Sequence, residues 1–254
     1  MKRILAILSF VALWGWPLAA QRLTIYTEVA PPFQYENPDG TLSGFSVDLV
    51  REIQRRVGNR DPIALVPWVR GYNEALTRPN VLLFAMDRSL ERERSFQWVG
   101  PIGEVDYWFF VKAGSPIVIR HLSDAKKVGL IGVYKEDIRD QALTRMGFTN
   151  LDRSVDQMVI LRKLADGRID ALVDSQENME QLTKLAGLDM KDFRGAYAFQ
   201  KTQTYLAFSN LTTRNTVEAW RKALEAMKRD GTFEALFHKY LPDTPVPGPA
   251  LKPF

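Results

Sequence analysis

Residues Asn80–Ile102 read NVLLFAMDRSLERERSFQWVGPI. The first seven, entered from Pro79, hold the apolar run VLLFA and read as a buried strand. Six charges follow, at Asp87, Arg88, Glu91, Arg92, Glu93 and Arg94, before an aromatic turn around Gly100-Pro101. A charged loop at the carboxyl end of a buried strand lies where α/β sheets receive ligands. The charge pattern leaves two readings open for each arginine: a solvated loop residue, or a group that grips an anion.

Outward from this segment, strands and helices alternate. Upstream lie a strand in LTIYTEV, a turn-rich loop PPFQYENPDGTLSG, and a helix in FSVDLVREIQRRVG. Phe45, Leu49, Ile53 and Val57 recur every four residues on one face of that helix, and Gly58 can end it. IALVPW is a second strand, with Trp68 at its end, and YNEALT a brief helix. Downstream, DYWFFVK is a strand extended by its aromatics. The alternation then restarts, with a strand in KKVGLIGV and helices in EDIRDQALTRMG and SVDQMVILRKLADG, the latter capped by Ser154. RIDALV and TYLAFS are strands, SQENMEQLTKLAG a helix, and two helices close the chain, the first amphipathic through Val217, Trp220, Leu224 and Met227. The tail from Pro242 carries five of the fourteen prolines and reads as an unpaired extension. Two successive βα sets predict two α/β lobes, and a cleft between lobes is a favoured pocket.

Of 254 residues, 46% are hydrophobic and 25% charged, the composition of an ordinary globular protein. MKR followed by ILAILSFVALWGW and PLAA reads as a signal peptide over residues 1–20, cleaved near Ala20-Gln21. Its apolar run is short for a membrane span, so the mature protein is expected to be soluble and exported. There is no cysteine, which excludes disulfides, zinc–thiolate sites and a lipidated N-terminal cysteine. An exported, unanchored chain of this kind fits a periplasm. Lys2 and Arg3 account for two of the 34 basic residues, leaving 32 against 30 acidic. The two signs are interspersed, so no nucleic-acid footprint is expected.

No P-loop, GxGxxG or GxSxG motif occurs. The two histidines, His121 and His238, are far apart in sequence, which argues against a histidine triad or a multi-histidine metal site. Carboxylates are plentiful, yet no spacing selects an acid/base pair. The residues alone read as a binding protein, without catalytic residues, cofactor or metal.

Six segments in order resemble the family-3 extracellular solute-binding proteins, the polar-amino-acid-binding components of ABC transporters. They are PPFQY with GTLSGFSVDLVREI, ERERSFQWVGPI, SDAKKVGLIGV, LADGRIDALVDS, YLAFS and MKRDGTFEALFHKYL. The resemblance implies an α/β, two-lobe periplasmic-binding-protein fold of type II with two crossover hinge strands. Lobe 1 would hold residues 21–111 plus 205–254, with 242–254 as the Pro-rich tail, and lobe 2 residues 112–204. The hinge would lie near Val111–Ala113 and Thr202–Thr204. It further implies a monomer that closes on a small-molecule solute and delivers it to an ABC permease in the inner membrane.

Counting back from WVGP, Arg92 matches the family arginine that grips the substrate carboxylate, a task suited to a planar guanidinium. Arg88 and Arg94 read as surface residues that can pair with Glu91 and Glu93. Phe33, Tyr35 and Trp68 are candidate cleft aromatics, with core packing as the alternative. Glu28 could meet a ligand amine, and Arg70 could reach the pocket mouth. Three positions depart from the family pattern. Asp87 stands where a hydroxyl is usual, Glu136-Asp137 where Gly-Thr usually opens the lobe-2 helix, and Ser175 where an amine-binding Asp is usual, with Asp174 beside it. Together they point to a solute with positive or hydroxyl character towards lobe 2. Two other functions stay open: a cyclohexadienyl-dehydratase-like enzyme on the same fold, with Glu28, Glu136 or Asp174 as the acid, and a sensory module for a membrane receptor.

Overall fold

The computed structural model describes residues 22–252. The expected signal peptide and its cleavage point lie outside the described residues. The chain opens with β1 (Thr24–Thr27), a small hairpin of β2 (Tyr35–Glu36) and β3 (Leu42–Ser43), and helix α1 (Phe45–Val57). Strand β4 (Ile63–Leu65), helix α2 (Trp68–Thr77), β5 (Val81–Asp87) and the long β6 (Phe96–Lys112) follow. Then come α3 (Leu122–Ala125), β7 (Ile131–Tyr134), α4 (Ile138–Arg145), β8 (Leu151–Ser154), α5 (Gln157–Ala165), β9 (Ala171–Ser175) and α6 (Gln176–Ala186). Strand β10 (Phe193–Ser209) returns, and α7 (Arg214–Arg229) and α8 (Thr232–Tyr240) close the fold.

Eight strands form one sheet in the order β4-β1-β5-β10-β6-β9-β7-β8. β1 runs parallel to β4 and β5, and β7 parallel to β8 and β9. The two 17-residue strands β6 and β10 lie antiparallel between these groups and belong to both. This is the two-lobe α/β architecture with two crossover strands. One core packs Phe45, Leu49 and Ile53 of α1 against Val217, Trp220 and Leu224 of α7, the stripes read from their helical spacing. Gly58 ends α1 in the left-handed region, where glycine carries no Cβ penalty. A second core gathers Phe109, Ile131, Val133 and Val173 in the other lobe. A third spans both lobes, from Trp68 and Leu83 to Tyr134 and Leu161.

Several local expectations are corrected. Trp68 opens α2 rather than ending a strand: the ladder's last bond is from Val66 N–H to the Thr27 carbonyl, and Pro67, with its fixed φ, takes the N-cap position of α2. WVGPI is not a turn. It lies inside β6, where the register shifts from Val99↔Leu206 to Gly103↔Thr204 and carries Pro101 past the partner strand. Ser154 ends β8, a strand the apolar pattern did not suggest, and Asp156 caps α5 instead, accepting from Met158 and Val159 N–H. The tail is not unpaired. Gly248 N–H donates to Glu104 Oε1 at 2.8 Å, Leu251 N–H to Gln203 Oε1 at 2.8 Å, and Gln203 Nε2 to the Pro249 carbonyl at 2.9 Å. Of the two expected hinge points, Thr204 pairs with Gly103 and Val111 pairs with Arg194, so the two do not lie side by side.

Candidate functional site

The parallel strands of both lobes end at one cleft, as their βα connections require. Glu28 follows β1, Asp87 ends β5, Asp174 and Ser175 end β9, and Asp137 caps α4 just beyond β7. These residues border a cavity of about 670 Å³, part of it open to solvent. Phe33 and Ser46 line its lobe-1 wall. Gly44 brings them together: its φ is 117°, and a Cβ there would stand 2.4 Å from the Phe33 carbonyl oxygen. The Ser46 N–H donates to that same carbonyl at 2.8 Å.

Arg139 is the cation on the wall. It is buried, and its Nε donates to Asp137 Oδ1 at 2.6 Å and its Nη1 to Asp174 Oδ1 at 2.5 Å. Its guanidinium lies 5.3 Å from the Tyr107 ring centre and 5.9 Å from that of Tyr134. Burial alone would lower its pKa, but Asp137 and Asp174 hold it well above the ordinary value. Asp174 also accepts from Ser175 N–H at 2.8 Å and Asn178 Nδ2 at 2.9 Å. Asp87 Oδ2 accepts from the Tyr107 hydroxyl at 2.9 Å, while Asp87 Oδ1 has no partner.

Crowding of carboxylates in a desolvated space favours protonation. Burial, followed by repulsion from Asp137, pushes Glu28 up to about 8. The same two causes push Asp87 up to about 7, against the opposing pull of Arg92. Burial also raises Asp174, with Arg139 the largest opposing influence.

Of the residues singled out from sequence, Glu28, Phe33, Asp87, Asp137 and Asp174 line this cavity; Tyr35, Trp68, Arg70 and Arg92 do not. Tyr35 pairs with Ser43 in the small hairpin. Arg70 is exposed and pairs with Glu74 at 3.2 Å. Arg92 is fully buried, with its guanidinium 4.9 Å from the Trp68 ring centre and 5.1 Å from that of Tyr72. Its Nε donates to Gln141 Oε1 on α4 at 3.1 Å, a contact from one lobe to the other. The Trp68 indole N–H likewise crosses to the Glu136 carbonyl at 3.1 Å. Glu91 and Arg145 form an ion pair between the lobes, and the Tyr107–Asp87 bond joins the stretch of β6 that pairs with β9 to the end of β5. The lobes are thus in contact around the cavity. Arg88 is held by Glu93 at 2.6 Å.

Arg139, Tyr107 and Asn178 were not anticipated. A signal existed for Arg139, since a basic residue in the first turn of a helix opposes the helix dipole and needs acidic neighbours. For the other two, the sequence holds none. Among the described residues no group of three or more His, Asp or Glu is arranged to hold a metal ion. No described helix is long and apolar enough to cross a membrane.

Residues 23–243 match the bacterial extracellular solute-binding proteins, family 3. The chain is 25% identical over 215 residues to the L-cystine-binding protein TcyJ of Escherichia coli (strain K12), covering 83% of this chain and 78% of that protein. It is 25% identical over 260 residues to the histidine-binding periplasmic protein of Salmonella typhimurium, covering 94% and 97%. Both named relatives are binding proteins rather than enzymes. Among solved structures, the arginine-, lysine-, histidine-binding protein ArtJ from Geobacillus stearothermophilus superposes with a TM-score of 0.76 at 18% identity, over 89% of this chain and 97% of that one. A histidine kinase sensor domain similar to periplasmic binding proteins superposes with a TM-score of 0.79 at 19% identity, over 89% and 99%. The chain belongs to the family-3 bacterial extracellular solute-binding proteins.

Proposed function

From this family membership we propose that the chain captures a small polar solute, an amino acid or a related compound, and delivers it to an ABC permease. The observation that carries the reading is the cleft itself: polar groups from the strand ends of both lobes converge on one cavity, and contacts between the lobes ring it. Ligand binding would favour the closed arrangement by the difference in affinity between closed and open forms. Arg92, expected to grip a carboxylate, is assigned here to closure, in keeping with its packing against Trp68 and Tyr72 and its bond to Gln141. The hinge is assigned to residues 103–105 opposite 202–204, which pair with one another where β6 and β10 pass between the lobes. The signal-like N-terminus and the periplasmic relative support a periplasmic location, with the mature protein a monomer starting near Gln21.

The experiment is to purify the protein from its own cells, denature it, and identify released small molecules by mass spectrometry. A single stoichiometric solute is expected, and its re-addition should compact the refolded protein in small-angle scattering. A protein that carries nothing and never compacts on addition of candidate solutes refutes the reading. N-terminal sequencing of the same preparation tests cleavage at Gln21.

A further inference from the structure

The charge balance of the cavity restricts what it can hold, an inference that rests on the solute-binding reading and narrows its ligand. Five carboxyl groups border the space, those of Glu28, Asp87, Glu104, Asp137 and Asp174. Among the described lining residues one cation faces them, Arg139, and two of those carboxylates already hold it. Arg92, whose Nη2 has no hydrogen-bond partner, lies off the wall, buried against the stacked rings of Trp68 and Tyr72. On the wall itself a ligand carboxylate would therefore meet no uncommitted cation and would sit among like charges, which costs binding energy.

A second observation is independent of charge. Asp87 Oδ1 and Asn178 Oδ1 are acceptors on the cavity wall, on side chains of residues 7% exposed, and neither has a hydrogen-bond partner. The orientation of Asn178 is set by its other end, whose Nδ2 donates to Asp174 Oδ2 and to Gln157 Oε1. Buried acceptors left without donors are costly, so the wall is built to receive N–H or O–H donors. A third observation concerns the exit. Glu28, Pro31, Gln157 and Asn178 also border an outer groove of about 1030 Å³, walled by Leu65, Val66, Pro67, Val155, Met158 and Leu185. Val155 and Leu185 stand 65% and 66% exposed there.

We propose that the ligand is an organic ammonium or guanidinium ion that lacks a carboxylate: its N–H groups donate to Asp87 Oδ1 and Asn178 Oδ1, and its carbon chain leaves through the apolar groove. The cation neutralises the inner carboxylates, and the groove takes what a purely ionic site would reject. A bare metal ion does not suit the site, because Asp137 and Asp174 are committed to Arg139.

The test is calorimetry on the refolded protein with matched pairs: lysine and cadaverine, histidine and histamine, phenylalanine and phenethylamine. At least one decarboxylated member should bind, and bind at least about tenfold more tightly than its parent amino acid, which must bring a like charge among the wall carboxylates. Phenethylamine should also exceed methylammonium by about tenfold or more, for the area its ring buries in the groove. An amino acid that binds as tightly as its own amine overturns the assignment and leaves the solute-binding reading standing. Failure of every amine at millimolar concentration also overturns it; the solute released from protein purified from its own cells then judges the broader reading separately. Asp87→Asn, which keeps an acceptor for the Tyr107 hydroxyl, should remain folded by circular dichroism and lose about tenfold or more in amine affinity. Unchanged affinity in that variant overturns the role given to Asp87.

Discussion

Asp87→Asn separates the cost of a buried carboxylate from its use. In the folded protein burial and Asp137 push Asp87 up to about 7, and its residue is 7% exposed. In the unfolded chain the same group titrates at its ordinary value near 4. Between these values the folded state holds a proton that the unfolded state has released, so stability falls as pH rises through the window. The loss from this one group is about 4 kcal/mol by pH 8.5 and less than about 2 kcal/mol at pH 5, at 1.36 kcal/mol per pKa unit. Asparagine is neutral at every pH. Its carbonyl can accept from Tyr107, but its amide nitrogen then takes the place of Oδ1, which has no partner, at a cost of about 1–3 kcal/mol. The variant should therefore be equal to or less stable than the parent at pH 5 and more stable at pH 8.5. The difference should swing by about 2–3 kcal/mol between the two. Urea unfolding of ligand-free protein, followed by tryptophan fluorescence at both pH values, measures this. A stability difference that is the same at both pH values, or that moves the other way, refutes the account of Asp87 as a buried carboxylate held protonated by its surroundings.

Three further outcomes follow from the same geometry. Binding of a cationic ligand should strengthen from pH 6 to 8.5 and release protons, because it selects the ionised forms of Glu28 and Asp87, which titrate at about 8 and about 7 amid Asp137, Arg139, Arg92, Tyr134 and Tyr107; calorimetry in buffers of different ionisation enthalpy counts the protons, and pH-independent affinity is the contrary result. Arg92→Ala should destabilise the protein by about 3 kcal/mol, by emptying the space its side chain fills against Trp68 and Tyr72 and breaking the bond to Gln141, while leaving the rank order of ligands unchanged; a reordered ligand panel would return Arg92 to the ligand grip. Glu136→Gly should stabilise by about 1 kcal/mol, because Glu136 sits at φ 60°, where a residue with a Cβ is strained and glycine is not; a loss in denaturant midpoint would count against strain there.

Sequence alone carried the architecture. The four-residue stripe of α1 and that of α7, the restart of the strand–helix alternation after β6, and six ordered family segments are all local or additive signals. Helices reveal buried faces by period because one face of each is apolar along its whole length. The carboxylates at strand ends, Glu28, Asp87 and Asp174, were legible for a related reason: the strand fixes where its carboxyl end points. What the sequence could not state was how charges from distant segments pair. Arg92 carries the family spacing, yet Trp68 at the start of α2, stacked on Tyr72, offers a ring face against which its guanidinium packs off the cavity wall. Arg139, two residues past the helix cap, takes the place on the wall because Asp137 at the cap of α4 and Asp174 at the end of β9 meet it there. The tail, proline-rich and apparently free of partners by composition, fastens to Glu104 and Gln203 because β6 and β10 set those side chains beside each other. Pairings of this kind depend on three-dimensional proximity and on which ion is desolvated with which, and neither is encoded in the spacing of residues along the chain.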